Sequence, residues 1–290
     1  VKDRGLAAYI AELVGTMFLT FFVTSVVVLY VASGATAQFG SDFAVVGLVH
    51  AFLLTVLIIG IGSVSGGHFN PAVTVAAAAM RRIDPIDALV YVLAQLSGGV
   101  LGALLTKAFL SDEGRASDYG AATVSPLLGS NMQGAMVEAI GTFILVLTVL
   151  AVAMNLNVKK EWAPLAIGSS LGFLVMVLGP LTGGSFNPAR WFGPALVGNH
   201  FSDIWPYTVG PIVGALLAAA FYRFIIEGGG PERTTSVDPG VTAGVGTPHP
   251  GGGGPGPGPV GGGPVGGGPT PPPPAPPRPP SGPPGGIVGG

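Results

Sequence analysis

The sequence predicts an all-α membrane protein: an inverted repeat of six transmembrane helices plus two half-helices. Three observations carry that expectation. Six apolar stretches are long enough to cross a bilayer, a set of short motifs occurs twice in the same order, and each copy holds an Asn-Pro-Ala tripeptide followed by an apolar run too short to cross.

The 290 residues are 49% hydrophobic and only 9% charged, and mean hydropathy is +0.64 despite a C-terminal stretch that is almost all Gly and Pro. That is too apolar for a soluble domain. A hydrocarbon core of about 30 Å needs roughly 20 residues of helix. Leu6 to Val31, Phe43 to Val64, Ala88 to Leu110, Met132 to Met154, Trp162 to Thr182 and Ile204 to Ile226 each meet that length. The first run is too long for the apolar region of a signal peptide and has no small-residue cleavage pattern after it, so it reads as the first span. With no cysteine, disulfides, zinc thiolates and thiol nucleophiles are excluded. A formal charge of -2 gives no reason to expect nucleic acid as a partner. The composition points to the lipid bilayer, and no cofactor is expected.

Lys and Arg accumulate in short cytoplasmic loops. An N-terminus on the inside puts Lys2, Arg4, Arg81, Arg82, Lys159, Lys160, Arg223 and Arg233 on the cytoplasmic face and leaves Lys107 and Arg115 outside. Both termini are therefore expected in the cytoplasm.

The duplication is read from residues. Glu12, Gly15 and Thr16 recur as Glu138, Gly141 and Thr142; Ser65 to Ala72 (SGGHFNPA) recurs as Thr182 to Ala189 (TGGSFNPA); Tyr91 and Gly98 recur as Tyr207 and Gly214. The preserved order speaks against chance likeness. Each half holds three spans, an odd number, so the second half enters from the opposite face. Inverted repeats place their functional site near the midplane, between the repeats.

Each Asn-Pro opens an 11-residue apolar piece, Asn70 to Met80 and Asn187 to Val197, which as helix is about 16 Å long and reaches halfway across. Asn is a favoured N-cap and Pro a favoured first-turn residue. The preceding Gly pairs let the backbone run extended or left-handed into the cap. Non-helical backbone cannot face lipid, so these segments are buried in protein or line a wet cavity. Inversion brings them tip to tip, with Asn70 and Asn187 together at the centre.

On these paired motifs, over about residues 5 to 227, the sequence resembles the major intrinsic protein family, the aquaporins and glycerol facilitators. The resemblance implies a channel domain over residues 1–227, with repeat 1 at about 5–115 and repeat 2 at about 130–227. It also implies a pore in each protomer, a right-handed bundle and a homotetramer. The pore motifs are Asn70, Pro71, Ala72, Asn187, Pro188 and Ala189. Carbonyls of Gly66, Gly67, His68, Gly183, Gly184 and Ser185 form acceptor ladders in the family pattern.

Each half-helix N-terminus carries about half a positive charge, and two converge here, which repels cations. Asn side-chain amides that donate to passing water orient its oxygen and disfavour a continuous proton wire. Arg190 is the one basic residue inside a membrane segment away from its ends, where a charge costs at least about 3 kcal/mol, so it faces a wet pore or a strong acceptor. In the family this is the arginine of the aromatic/arginine filter. Carried over by spacing, the other three filter positions fall on His50, Val175 and Gly184. The quartet lacks the Phe and His of narrow water channels and the bulky aromatics of glycerol facilitators, and Trp191 stands where the latter usually have Asp. Ala195 fits a water channel, whereas Thr208 occupies a place where water channels usually have Trp. The filter looks most like that of certain tonoplast intrinsic proteins. The expectation is passive conduction of water, with ammonia or another small neutral solute besides, excluding protons and ions; a glycerol or urea facilitator of the same fold is the alternative.

Glu12 and Glu138 are carboxylates inside spans, which by themselves suggest an ion or proton route. The resemblance gives them a structural role instead, accepting hydrogen bonds from loop backbone beside a half-helix. His68 reads as a loop histidine, while His50 at the constriction could exchange hydrogen bonds with solute. A secondary transporter would need coupling groups, and an enzyme would need a nucleophile beside a base or metal-ligand spacing; neither is legible. Residues 228–290, including the Pro-rich run Thr270 to Pro280, cannot bury a core and are expected to form a disordered cytoplasmic tail. The short first segment and loops fit a bacterial plasma membrane.

Overall fold

The computed structural model describes residues 4–32, 41–155 and 160–228. Lys2, Lys159, Arg233 and the Gly/Pro-rich stretch after Gly228, on which several expectations rest, lie outside the described residues.

Among the described residues the secondary structure is helical. The long helices are α1 (Gly5–Val27), α2 (Ser41–Ser65), α4 (Pro85–Phe109), α6 (Asn131–Val149), α7 (Ala163–Thr182) and α9 (Ile204–Phe221). Two short ones, α3 (Pro71–Ala79) and α8 (Pro188–Gly198), are the half-helices, and α5 (Ser111–Arg115) is a single turn. The candidate spans, Gly5–Val31, Asp42–Ser65, Pro85–Phe109, Asn131–Met154, Lys160–Thr182 and Ile204–Glu227, match the six expected stretches to within about one turn. The third starts earlier than its apolar run. Asp84 accepts from the Ile86 amide and Pro85 fills the first helical position, so the cap and not the hydropathy sets that boundary. Three spans end in π-helical turns, at Val28–Ala32, Leu150–Met154 and Tyr222–Glu227, which no hydropathy pattern marks.

Packing follows the duplication. The first and last spans of each repeat pair closely, α1 with α4 and α6 with α9, while α2 meets α7 between the repeats. Small residues permit this approach: a Cβ on Gly98 would strike the carbonyl oxygen of Leu13, and one on the equivalent Gly214 would strike that of Ala139. The half-helices cross over, α3 packing mainly on α9 of the second repeat and α8 on α4 of the first. That exchange binds the two repeats into one bundle. Leu6, Phe52, Ile59, Leu89, Phe173 and Phe224 stand exposed on its outside, an apolar surface suited to lipid.

Candidate functional site

The loops before the half-helices are shaped by left-handed residues. Gly66, Gly67, Gly183 and Gly184 have φ of 99°, 65°, 72° and 59°, as their lack of a Cβ allows. Phe69 and Phe186 are also left-handed, at 47° and 49°, a conformation that costs about 1–2 kcal/mol for a residue with a side chain. Their buried rings lie against Gly15 and Gly141, where a Cβ would collide with them.

Glu12 and Glu138 hold these loops from the same helix faces, one turn before those glycines. Glu12 Oε1 accepts from Ser65 Oγ at 2.6 Å and the His68 amide at 3.0 Å, and Oε2 from the Phe69 amide at 2.6 Å and Gln95 Nε2 at 2.7 Å. Glu138 accepts from Thr182 Oγ1 at 2.7 Å and the Ser185 and Phe186 amides at 3.1 and 2.6 Å. The Tyr91 and Tyr207 hydroxyls donate to the carbonyls of Ser65 and Thr182, each at 2.7 Å. The halves then differ. Gln95 also donates to Thr74 Oγ1 at 2.9 Å, and His68 Nδ1 lies 3.1 Å from the same hydroxyl. Motif spacing puts Trp191 and Pro211 at the positions of Thr74 and Gln95 in the second half, where no such network can form. Trp191 instead stacks on Tyr207 at 5.6 Å.

The two tips touch. Asn70 Oδ1 accepts from the Ala72 amide at 2.9 Å, and Asn187 Oδ1 from the Ala189 and Arg190 amides at 3.0 and 3.3 Å. Each Asn is thus the N-cap of its half-helix, with Pro71 or Pro188 at the first position. Each Nδ2 also donates across the repeat boundary, Asn70 to the Phe186 carbonyl and Asn187 to the Phe69 carbonyl, both at 2.9 Å. A side-chain amide has two N–H donors, so each Asn keeps one for a solute. The far ends of the half-helices make separate contacts: Arg82 after α3 meets Glu227, and His200 after α8 meets Asp118. The N-termini meet and the C-termini diverge.

A cavity runs beside these tips. Its volume for the centres of water-sized spheres is about 30 Å³, room for roughly two waters. Its polar lining comes from His50, Gly67, His68, Asn70, Ser185, Asn187 and Arg190. An apolar wall that sequence reasoning did not identify comes from residues such as Leu19, Leu54, Leu145, Val149, Ile167 and Leu171. Every span is apolar on all sides, so hydropathy carried no sign of which residues turn inward. Gly67, His68, Val149 and Ile167 also line a vestibule of about 700 Å³, together with Gly66 and Arg4.

His50 Nδ1 lies 2.8 Å from the Val46 carbonyl, while His50 Nε2 and all three Arg190 guanidinium nitrogens are buried without a hydrogen-bond partner. Both residues are 2% exposed. A carbonyl only accepts, so His50 Nδ1 carries the proton and Nε2 offers a lone pair, while the Arg190 nitrogens are donors. Buried polar groups without protein partners on a cavity lining are ready to bind a polar occupant. Val175 and Gly184 are neighbours, a Cβ on Gly184 falling 3.2 Å from Val175 Cγ2, but they lie outside the wall of this cavity. Gly183 caps α7 and faces Ala122. The structure thus brings His50 and Arg190 together on the cavity and sets Val175 and Gly184, the other two positions expected in the filter, beside each other. Among the described residues no cluster of His, Asp or Glu suits a metal ion.

The model of the major intrinsic protein family matches residues 2–222. The chain belongs to that family. Among its relatives, glycerol uptake facilitator protein-like 6 of Lactiplantibacillus plantarum is 41% identical over 73% of this chain and 94% of its own length. Aquaporin AqpM of Methanothermobacter thermautotrophicus is 34% identical over 74% and 96%, and the probable aquaporin TIP2-2 of Arabidopsis thaliana is 36% identical over 81% and 93%. The solved aquaglyceroporin from Plasmodium falciparum shares the fold, with a TM-score of 0.65 and 24% identity over 76% of this chain and 96% of that one. As a major intrinsic protein, the chain is a multi-pass membrane channel for small neutral solutes, passive and not an enzyme.

Proposed function

We propose that this major intrinsic protein conducts water first and ammonia second, and excludes ions and protons. One observation carries the reading: a cavity about two waters in size, lined by the unpartnered guanidinium donors of Arg190 and the unpartnered Nε2 acceptor of His50 together with Asn70 and Asn187. Water binds the Arg190 donors through its oxygen and donates a hydrogen to His50 Nε2. The positive ends of α3 and α8 and the Arg190 charge oppose cations, and the free amide hydrogens of the two Asn residues orient each water so that a proton wire is interrupted. In this reading the filter is His50 and Arg190 on the cavity lining, with Val175 and Gly184 beside each other outside it. This set of one histidine, two small residues and one arginine, like that of tonoplast intrinsic proteins, leaves room for ammonia.

Glycerol is the second reading, favoured by the apolar side chains in the same lining, which offer a surface to a carbon backbone. The chain works as a homotetramer in a plasma membrane, with a pore in each protomer. The basic residues at the vestibule end, Arg4, Arg82 and Lys160, support placing that end in the cytoplasm, together with both termini; the short link between α3 and α4 fits a bacterial chain. Proteoliposomes measured in stopped flow test the proposal. Water and ammonia fluxes above those of empty vesicles, with little glycerol flux, are expected. An unchanged ammonia flux would remove the second solute, and glycerol flux equal to water flux would replace the first.

A further inference from the structure

Arg81, Arg82 and Arg223 surround one recess of about 540 Å³, completed by Ala79 and Met80 at the end of α3. Arg82 also borders the vestibule, whereas Arg81 and Arg223 line the recess and not the vestibule. We propose that it is a binding site for the phosphate group of an anionic phospholipid.

Charge is the first support. Glu227 is bonded to Arg82 at 2.8 Å and Arg223 at 3.0 Å, so one carboxylate serves two guanidinium groups. Asp84, the next acid in sequence, already accepts from the Ile86 amide at the start of α4. Arg81 has no ion pair among the described residues. The recess therefore retains positive charge, in the fork geometry that binds phosphate oxygens in pairs.

Backbone conformation is the second. Arg81 is left-handed, with φ of 57°, at a helix end where Gly or Asn is favoured. The matching end of α8 carries Asn199 in that conformation. An arginine there is a costlier choice for the backbone, consistent with a task for its side chain.

Position supplies the third and selects a lipid over a soluble anion. The arginines flank the ends of two membrane spans, Pro85–Phe109 and Ile204–Glu227. Ile86, Leu89, Phe224 and Ile225, at those same ends, are exposed apolar side chains. A phosphate in the recess leaves its acyl chains against them, the arrangement of basic headgroup sites at membrane interfaces.

The test uses the purified full chain in detergent, titrated with phosphatidylglycerol or phosphatidylcholine and read by native mass spectrometry. Phosphatidylglycerol should bind in preference, and the double variant Arg81→Gln with Arg223→Gln should weaken it by roughly thirtyfold while leaving phosphatidylcholine adducts and water flux unchanged. Lys107→Gln, with its amine over the Tyr119 ring, is the control for loss of charge elsewhere and should bind as the parent does. Binding of inorganic phosphate with no preferred phosphatidylglycerol adduct would assign the recess to a soluble anion and overturn the proposal. Full affinity in the double variant would do the same. If that variant does not fold, the parent chain decides: binding weakened by salt at about 0.5 M supports the site, and binding indifferent to salt contradicts it.

Discussion

Asn70 donates to the carbonyl of Phe186 at 2.9 Å, and Asn187 returns the same bond to the carbonyl of Phe69. This reciprocal pair joins the two repeats at their meeting point and leaves each amide one hydrogen for the cavity. Asn70→Asp keeps the shape but sets a carboxylate against a carbonyl. Proteoliposomes of that variant should lose most of their water flux, and its stability should fall by about 1–3 kcal/mol through the unmade bond. Undiminished flux would deny the Asn amides a part in conduction.

The carboxylates under the loops are unequal. Glu12 accepts from four donors and Glu138 from three. Replacing either with Gln turns one acceptor into a donor facing a donor, at about 1–3 kcal/mol for each group left unpaired. Both variants should melt earlier in detergent, Glu12→Gln by the wider margin because four donors depend on its carboxylate against three on that of Glu138. A proton-coupled uptake abolished by either change, with stability intact, would restore the relay reading.

Gly15 and Gly141 have no room for a methyl group, since Phe69 and Phe186 fill the space. Gly15→Ala and Gly141→Ala should each lower stability by about 1–3 kcal/mol through overpacking, and reduce water flux by moving the loop that holds the matching Asn. Thermal unfolding and osmotic shrinkage measured on the same preparations test the coupling.

At the constriction, Arg190→Ala removes a charge and most of a side chain from the cavity wall. Glycerol flux relative to water should rise by roughly tenfold, the range in which a pocket discriminates by size, and cation leak should become measurable. His50→Ala should raise the glycerol ratio without the leak, because Arg190 still repels cations.

Much of this was legible in the sequence because duplication and capping are local. The six spans and the half-helices opening at Asn70 and Asn187 follow from length and cap chemistry, while the freedom of glycine left the Gly pairs extended or left-handed, and they are left-handed. The partners of Glu12 and Glu138 were expected only from resemblance, and the contacts now give them names. What stayed hidden depends on long-range geometry. That each Asn donates to the opposing loop, that Phe69 and Phe186 turn left-handed over a glycine, and that Val149 and Ile167 face inward cannot be read from spans that are apolar on every side. The start of α4 shows the reverse case, where Asp84 and Pro85 fixed a boundary that hydropathy placed later.

The central claim is that solute passes through the narrow cavity beside the two Asn tips. Val149 lines both that cavity and the vestibule leading to it, and the chain has no native thiol. Val149→Cys changes little in volume and puts a lone mercury target on the route. Osmotic shrinkage of its proteoliposomes should be fast, and mercuric ion should slow it to the rate of empty vesicles while leaving the parent protein untouched. Unaltered shrinkage with the cysteine fully labelled would place the water path elsewhere.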